Sequence, residues 1–144
     1  MQTEINERLS KIPHPTAFLA TVDQQGAPQV RPVTLMVCEN KFYLATSSHT
    51  RKAIEIGNDS RVEFVTPLPE GQNTGYLRVM GHAERITDSR HALQVTQACD
   101  FPVDTYFGSV EAPGFFFCQV KPTRVEYMKP GNMRAIEVTD EYTA

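Results

Sequence analysis

The chain has 144 residues, and its 14 Lys and Arg are outweighed by 17 Asp and Glu, which gives a net charge of −3. This length suits one domain with a single hydrophobic core. The acidic balance lacks the basic footprint of a nucleic-acid-binding protein. Three cysteines, Cys38, Cys99 and Cys118, are scattered singly. An odd number without a C-x-x-C pair argues against both a disulfide framework and a zinc site.

No apolar run in the sequence is long enough to span a membrane. The N-terminus, MQTEINERLS, is polar and lacks the hydrophobic region of a signal peptide. We therefore expect a cytoplasmic protein that binds neither membranes nor nucleic acid. A single domain is expected over residues 1–144, with an N-terminal helix within 1–12 and a polar tail over 129–144.

The hydrophobic pattern begins with a helix and continues mainly as strands. Ile5, Leu9 and Ile12 recur at helical spacing and predict an amphipathic helix over 3–11. A strand over 17–22, a turn at 23–26 and a return strand over 29–37 predict a hairpin. The later expectations are strands over 42–45, 61–65, 76–86, 115–120 and 124–128, helices over 51–56 and 88–99, and loops over 67–73 and 105–114. Six or seven strands with regular turns favour a small barrel or sandwich over a parallel doubly wound sheet.

Arg31 interrupts an otherwise apolar face of the return strand. At a period of two it shares that face with Val33, Leu35 and Val37. A buried arginine needs a partner, because an isolated buried charge is costly. Alternatively, Arg31 lies at the strand's end and its side chain reaches the solvent. Pro32 removes a ladder donor, which indicates an edge, a bulge or backbone groups that face something other than a strand.

The segment TSSHTRKAIEI, residues 46–56, predicts a hydroxyl-rich turn that leads into a short helix. The candidate N-caps are Thr46, Ser47, Ser48 and Thr50. Arg51 and Lys52 then place two positive charges near a helix N-terminus, where a cation is disfavoured by roughly 0.3–1 kcal/mol. A local rule broken without visible compensation is typical of a functional site. An anion would compensate, and a phosphate fits best. The alternative is a capped surface helix whose basic side chains point into water.

Four segments together carry a family resemblance: LATVDQQGAPQVRPVTLMV, KFYLATSSHTRKAIEI, RVEFV and GYLRVMGHAERI. In this order they resemble the pyridoxamine 5'-phosphate oxidase-like family of FMN-binding split barrels. The resemblance covers residues 17–86 well and 115–128 loosely. It implies a mainly β fold, a six- to seven-stranded antiparallel split β-barrel with a few short helices, which forms a single FMN-binding domain over 1–144.

The resemblance also implies a role for each matching position. Arg31, Pro32, Val33 and Thr34 would lie along the flavin ring and ribityl chain, with Arg31 polarising the pyrimidine edge. Thr46 and Ser47 would hold the ribityl-phosphate end, and Thr50, Arg51 and Lys52 would grip the phosphate. A homodimer with flavin between the subunits is implied as well. The candidates for aromatic residues that reach across are Tyr106, Phe107 and Phe115, with ordinary core or interface packing as the alternative for each.

The expected function is that of an FMN-dependent oxidoreductase which takes electrons from a nicotinamide donor or a small reduced substrate. Unlike the true pyridoxamine phosphate oxidases, the chain has no Trp and ends in VTDEYTA, so vitamin B6 is not the expected substrate. No catalytic residue is identified. The four histidines are scattered: His14, His49, His82 and His91. The alternatives are a non-enzymatic flavin carrier or sensor, a haem-binding barrel that uses His82 or His91, and a deazaflavin-binding barrel.

Overall fold

A computed structural model describes residues 1–143 of the chain. The elements are α1 (Gln2–Ser10), β1 (Thr16–Val22), β2 (Pro28–Cys38), β3 (Lys41–Ser47), α2 (Arg51–Asn58), β4 (Arg61–Glu70), β5 (Asn73–Arg85), α3 (Ser89–Ala98), α4 (Val103–Tyr106), β6 (Phe115–Met128) and β7 (Ile136–Glu137), followed by a 3-10 turn at Thr139–Glu141. No helix within residues 1–143 is long and apolar enough to cross a bilayer.

The strands form one antiparallel sheet in the order β3-β2-β1-β4-β5-β6-β7, and the additional pairing of β3 with β6 closes six of them into a barrel. The predicted antiparallel barrel is therefore confirmed. β2 and β3 pair only near their shared turn, Leu35–Cys38 against Lys41–Leu44. Beyond that point they separate, because β2 follows β1 while β3 follows β6. This separation leaves a gap in the barrel wall, which we call the β2–β3 gap.

Apolar side chains pack on both sides of the barrel wall. The interior cluster includes Leu19, Phe64 and Val79, and α1 closes one end of it with the buried Ile5 and Leu9. A second cluster lies outside the wall, where α3 and α4 cover the outer faces of β2, β3 and β6. Alternate residues of these strands are buried in different clusters, because successive side chains of a strand point to opposite faces.

Three predicted elements are wrong in extent. The expected loop over 67–73 is a hairpin, in which β4 continues through Pro67 and Pro69 to pair with β5. β1 pairs with β4 only at Glu63–Val65, so both prolines lie where one edge of β4 is free, and the missing N–H groups cost nothing there. The two expected closing strands are a single strand, β6, which pairs with β5 through an irregularity at Met80/Gly81.

The polar tail also differs from expectation, because it packs on the barrel instead of being only partly ordered. Val138 is buried, and the ring of Tyr142 stacks on Phe42 with 5.3 Å between centroids. Phe42 and Tyr142 are distant in sequence, so composition alone gave no sign of this contact. Burial raises the pKa of the Tyr142 phenol. Ala144 lies outside the described residues.

Candidate functional site

The β2–β3 gap exposes backbone groups of β2 that have no strand partner. The N–H of Leu35 donates to Pro15 O at 2.8 Å on the β1 side. Because successive residues of a strand turn their backbone groups to opposite sides, those of Thr34 and Pro32 face the gap. Pro32 therefore lacks a backbone N–H at a position where no neighbouring strand would accept a hydrogen bond from it. This is one of the arrangements that the sequence indicated. The side chains of Pro32 and Thr34 point to the outer face, whereas Arg31 and Val33 point inward.

The turn between β3 and α2 lies at one end of this gap. Thr50 is the N-cap of α2, and its side chain accepts from the N–H of Ala53 at 3.4 Å. Ser48 instead anchors the turn, because its N–H donates to Gly114 O at 2.9 Å and its hydroxyl to Pro113 O at 3.0 Å. Thr46 and Ser47 belong to β3, so the prediction that either of them could be the N-cap of α2 was wrong. The hydroxyl of Thr46 still lies 3.4 Å from that of Thr50.

Arg31 has a partner that the sequence analysis missed. Its guanidinium donates to Glu55 Oε1 at 2.8 Å and to Thr21 Oγ1 at 2.6 Å. Thr21 in turn donates to Glu55 Oε1 at 2.7 Å. The hydrogen bond from Thr21, with further help from the Arg31 guanidinium, holds the pKa of the Glu55 carboxyl below its ordinary value despite burial. A buried ion pair thus joins the inner face of β2 to α2.

Glu55 also supplies part of the negative charge that balances the two basic residues at the start of α2. Arg51 lies one turn before it, with its guanidinium 3.6 Å from Glu55 Oε2. This spacing of four residues could have been read from the sequence as an ion pair on one helix face. Thr21 carried no such signal, because its position opposite α2 depends on the closure of the barrel.

Lys52 is not compensated in this way. Within residues 1–143 its ammonium group has no acidic partner. Its side chain is half-buried and lines a small cavity in the gap with Val33, Thr46 and Phe116. Burial, and secondarily the charge of Arg31, lowers the pKa of Lys52. A cation held in a half-buried position without a counter-charge is the feature of this site that most needs a ligand.

The surroundings of the cavity add one more cation and one inert thiol. The guanidinium of Arg85 lies 4.8 Å from the centre of the Phe116 ring. Cys118 also lines the cavity, and burial raises the pKa of its thiol to about 12. This cysteine is therefore protonated at neutral pH and does not act as a nucleophile. Cys38 and Cys99 are free as well, with pKa values raised by burial.

The structure brings together most of the predicted site residues, but on two faces of the wall. Val33, Thr46 and Lys52 line the cavity inside the gap. Thr50 and Arg51 lie at its end, where Arg51 is exposed. Two of the three aromatic candidates, Phe107 and Phe115, belong to the outer cluster, where Phe115 packs on Phe107 and Phe117. Tyr106 lies beside this cluster, next to Phe101 and Phe107. Tyr106 alone is largely exposed.

No histidine lies among the residues that line the gap cavity. The phenol of Tyr43 lies 3.1 Å from His91 Nε2, and His82 Nδ1 lies 3.0 Å from Ser60 Oγ. His49 is exposed within the β3–α2 turn. His82 and His91 are therefore engaged away from the gap cavity, whereas His49 lies in the turn at the end of the gap.

Several solved structures share this fold. A haem binding protein from Mycobacterium smegmatis is similar with a TM-score of 0.77 and 18% identity, over 99% of this chain and 60% of that one. The heme storage protein HutZ from Vibrio cholerae has a TM-score of 0.71 and 21% identity, over 90% of this chain and 94% of that one. General Stress Protein 26 from Bacillus anthracis has a TM-score of 0.70 and 18% identity, over 94% of this chain and 99% of that one. At these identities the likeness concerns the fold alone.

No curated protein matches the chain. The family model for pyridoxamine 5'-phosphate oxidase does match it, over residues 1–129. That range includes every strand of the closed barrel, the β2–β3 gap and the β3–α2 turn. The chain therefore belongs to the pyridoxamine 5'-phosphate oxidase family.

Proposed function

We propose that the chain binds FMN, with the phosphate at the first turn of α2 and the flavin ring along the β2–β3 gap, and that it acts as an FMN-dependent oxidoreductase. The observation that carries this proposal is Lys52, a half-buried cation that lines the gap without an acidic partner among residues 1–143. A bound phosphate supplies the missing negative charge.

The charges at the end of the gap suit a phosphate. Three cations, Arg31, Arg51 and Lys52, lie at this end of the gap with two carboxylates that interact with the arginines, Glu55 and Asp23. The positive excess favours an anion, and the N-terminus of α2 adds its backbone N–H groups and dipole. The hydroxyls of Thr46, Ser47 and Thr50 are additional donors for phosphate oxygens. Binding there also removes the conflict between two basic residues and the positive end of the helix.

The ring end of the site is formed by backbone as much as by side chains. The unpaired backbone groups of Pro32 and Thr34 offer hydrogen-bond partners along the gap, and Val33 offers an apolar contact. Arg31 makes its contacts to Leu19, Thr21 and Glu55 through its two terminal nitrogens. Its remaining guanidinium donors are available to the pyrimidine edge of a flavin. Glu55 then fixes the orientation of Arg31 and partly neutralises its charge.

A second copy of the chain is required to enclose the flavin. The cavity in the gap has a volume of about 10 Å³, whereas pockets for ligands of this size measure roughly 300–1,000 Å³. Beside the gap, the outer face of β1 and β2 exposes Phe18, Val30 and Pro32, with Val30 70% exposed. Phe18 and Pro32 are directly opposite each other in the sheet. Such a contiguous apolar surface is typical of an interface, which supports a homodimer with the flavin between its subunits.

FMN, when bound, accepts and donates hydride and so carries the redox chemistry. The residues of this chain bind the phosphate, orient the ring and exclude water. Of the titratable side chains at the gap, the Cys118 thiol is protonated, Glu55 is held in an ion pair and Lys52 is assigned to the phosphate, so none of the three is free to act as an acid or base on the substrate. We therefore assign the chain a reaction that needs hydride transfer alone, from a nicotinamide donor or another small reduced substrate. A non-enzymatic flavin carrier with the same site would bind FMN without turnover.

The visible absorption spectrum of the purified protein, before and after addition of FMN and gel filtration, tests the proposal. Flavin bands that co-elute with a dimer are expected, and the Arg51→Ala/Lys52→Ala variant should lose them. The Lys11→Ala/Lys41→Ala variant is the matched control, because it removes two cations from exposed positions outside the gap. Consumption of NADH or NADPH with catalytic FMN distinguishes the oxidoreductase from the carrier. A protein that remains colourless with excess FMN would refute flavin binding.

Haem is the second candidate, because two of the similar structures are named as haem-binding and haem storage proteins. In this chain a haem iron would need His82 or His91, which now contact Ser60 and Tyr43. A Soret band after haem addition that is lost on replacing either histidine would favour haem. A deazaflavin would occupy the same gap as FMN, and its absorption spectrum would identify it.

A further inference from the structure

Two of the three cysteines lie close together in the fold although they are far apart in the sequence. Cys38 is the last residue of β2, and Cys99 is the C-cap of α3. Both side chains pack against the outer cluster, whereas the buried Cys118 belongs to the interior cluster. The packing of α3 on β2 thus brings Cys38 and Cys99 to one site, a pairing that the scattered positions of the cysteines in the sequence did not indicate.

The end of the β2–β3 hairpin directs one backbone carbonyl at Cys99. Cys38 and Lys41 face each other across a turn of two residues with positive φ, and the closing pair of such a turn exchanges both backbone hydrogen bonds. The carbonyl of Val37 therefore points away from β3. The thiol of Cys99 donates to this oxygen, with 3.5 Å between Sγ and O. Cys99 thus lies against the peptide bond that precedes Cys38.

This contact limits the distance between the two cysteines. In a trans peptide the carbonyl oxygen lies about 2.8 Å from the Cα atom of the next residue, so the Cys99 sulfur is within roughly 6 Å of the Cys38 Cα. A cysteine sulfur moves by about 3 Å when its side chain changes rotamer. A disulfide requires Cα atoms about 4.4–6.8 Å apart. We therefore expect rotation of the two side chains to bring the sulfurs into bonding distance.

The electrostatics of the site agree with this proximity, and solvent has access to it. Burial raises the pKa of the Cys99 thiol, and the charge of Cys38 raises it further. The Tyr43 phenol on β3 has a pKa raised by burial and then by the charges of Cys38, Glu39 and Cys99. Both cysteines are partly exposed, and Cys99 lines a groove of about 620 Å³ between the ends of α1 and α3. A small oxidant therefore has a path to the pair.

We propose that Cys38 and Cys99 form a redox-active pair, which closes to an intramolecular disulfide in the presence of hydrogen peroxide. One thiol, as its thiolate, attacks the peroxide, the O–O bond breaks, and a sulfenic acid and one water molecule result. The second thiol attacks this sulfur, the S–S bond forms, and a second water molecule leaves. The two sulfurs together lose two electrons, which reduce one peroxide, and the two thiol protons end in the two water molecules.

The bond would tie the end of α3 to the paired end of β2 and β3, beside which the β2–β3 gap opens. It would also close residues 38–99 into a covalent loop, which restricts the unfolded chain and so stabilises the fold. We expect oxidation to raise the Tm by about 5–10 °C. This inference does not depend on flavin binding, because neither cysteine lines the gap cavity.

Thiol trapping and mass spectrometry test the pair in the folded protein. The wild type is treated with excess hydrogen peroxide until the product no longer changes, because thiols with a raised pKa react slowly. Remaining thiols are then alkylated and the chain is digested. We expect a chain lighter by two hydrogens and one cross-linked peptide pair that carries Cys38 and Cys99. The buried Cys118 is the internal control and should be recovered as a single alkylated thiol.

Three results would overturn the proposal: a bond between two chains, a bond that includes Cys118, or Cys38 and Cys99 recovered as thiols or as sulfinic or sulfonic acids without a cross-link. Each of them would show that the two sulfurs do not meet in the folded chain.

Thermal unfolding with matched variants tests the effect of the bond. Peroxide should raise the Tm of the wild type, and dithiothreitol should reverse the rise, which it would not do for oxidised methionines. Cys38→Ser and Cys99→Ser should each abolish the rise, whereas Cys118→Ala keeps both members of the pair and should retain it. The wild type with and without dithiothreitol carries the test even if a variant fails to fold. No reversible rise in the wild type, or an equal rise in Cys99→Ser, would show the proposal to be wrong.

Discussion

The guanidinium of Arg31 lies 2.8 Å from the carboxylate of Glu55, and this ion pair joins the inner face of β2 to α2 beside the β2–β3 gap. Only 8% of the Glu55 side chain is exposed, so the pair is screened weakly by solvent. It has two consequences: it fixes the arginine that would contact a flavin, and it makes the stability of the barrel depend on one buried carboxylate.

Replacing Glu55 should destabilise the fold. Glu55→Leu leaves the guanidinium of Arg31 without its charged partner, and breaking a buried pair in this way costs about 3–5 kcal/mol. The double variant Arg31→Met/Glu55→Leu should recover part of the loss, because no unpaired charge remains. Chemical denaturation of the wild type, the single variant and the double variant measures their free energies of unfolding. Glu84→Gln is the control, since it breaks the exposed pair with Lys121 and should change stability by less than about 1 kcal/mol. Equal losses of stability in Glu55→Leu and Glu84→Gln would contradict the role assigned to the buried ion pair.

The same carboxylate should make the protein sensitive to acid. Because the folded-state pKa of Glu55 lies below its ordinary value of 4.5, the ionised form stabilises the fold. That stabilisation is fully present above the unfolded-state pKa and is lost as the pH falls through the lower folded-state value. Thr21→Val removes the main cause of the lowered pKa, so its stability should fall less steeply with acid than that of the wild type. Unfolding free energies measured between neutral pH and about pH 3 test this, and parallel curves would disprove it.

The fold and the site differ in how far the sequence could predict them. The inward position of Arg31 and the free backbone edge at Pro32 followed from a period of two and from the chemistry of proline, both of which are local. Thr21 was missed because its contact with Glu55 depends on barrel closure. Pro67 and Pro69 were assigned to a loop because the sequence does not reveal which edge of β4 lacks a neighbour. Tyr142 contacts Phe42, which lies far from it in the sequence, and no local pattern encodes such a contact.

Gly81 of β5 should be irreplaceable opposite the bulge of β6, where Thr123 has no partner in the β5 ladder. A Cβ atom there would collide with the carbonyl of Lys121 and with Pro122 on β6. Gly81→Ala should therefore destabilise the protein by about 1–3 kcal/mol, the usual cost of overpacking. Gly57→Ala is the control, because a Cβ at that position in α2 meets nothing within 4 Å and alanine favours a helix by about 0.5–1 kcal/mol over glycine. Thermal unfolding of both variants should show shifts of opposite sign, and a stable Gly81→Ala would contradict the close strand approach.

Lys52 should give phosphate binding a characteristic pH dependence. Only the ammonium form attracts a phosphate, and burial lowers the pKa of Lys52 from its ordinary 10.5. The affinity for FMN should therefore begin to fall at a lower alkaline pH than for an exposed lysine. Riboflavin lacks the phosphate, so the ratio of FMN to riboflavin affinity cancels any ionisation of the ring. We expect this ratio to fall with rising pH in the wild type and to stay level in Lys52→Arg, whose guanidinium remains charged. Fluorescence titrations measure both affinities, and a ratio that does not change with pH in the wild type would exclude Lys52 from the phosphate site.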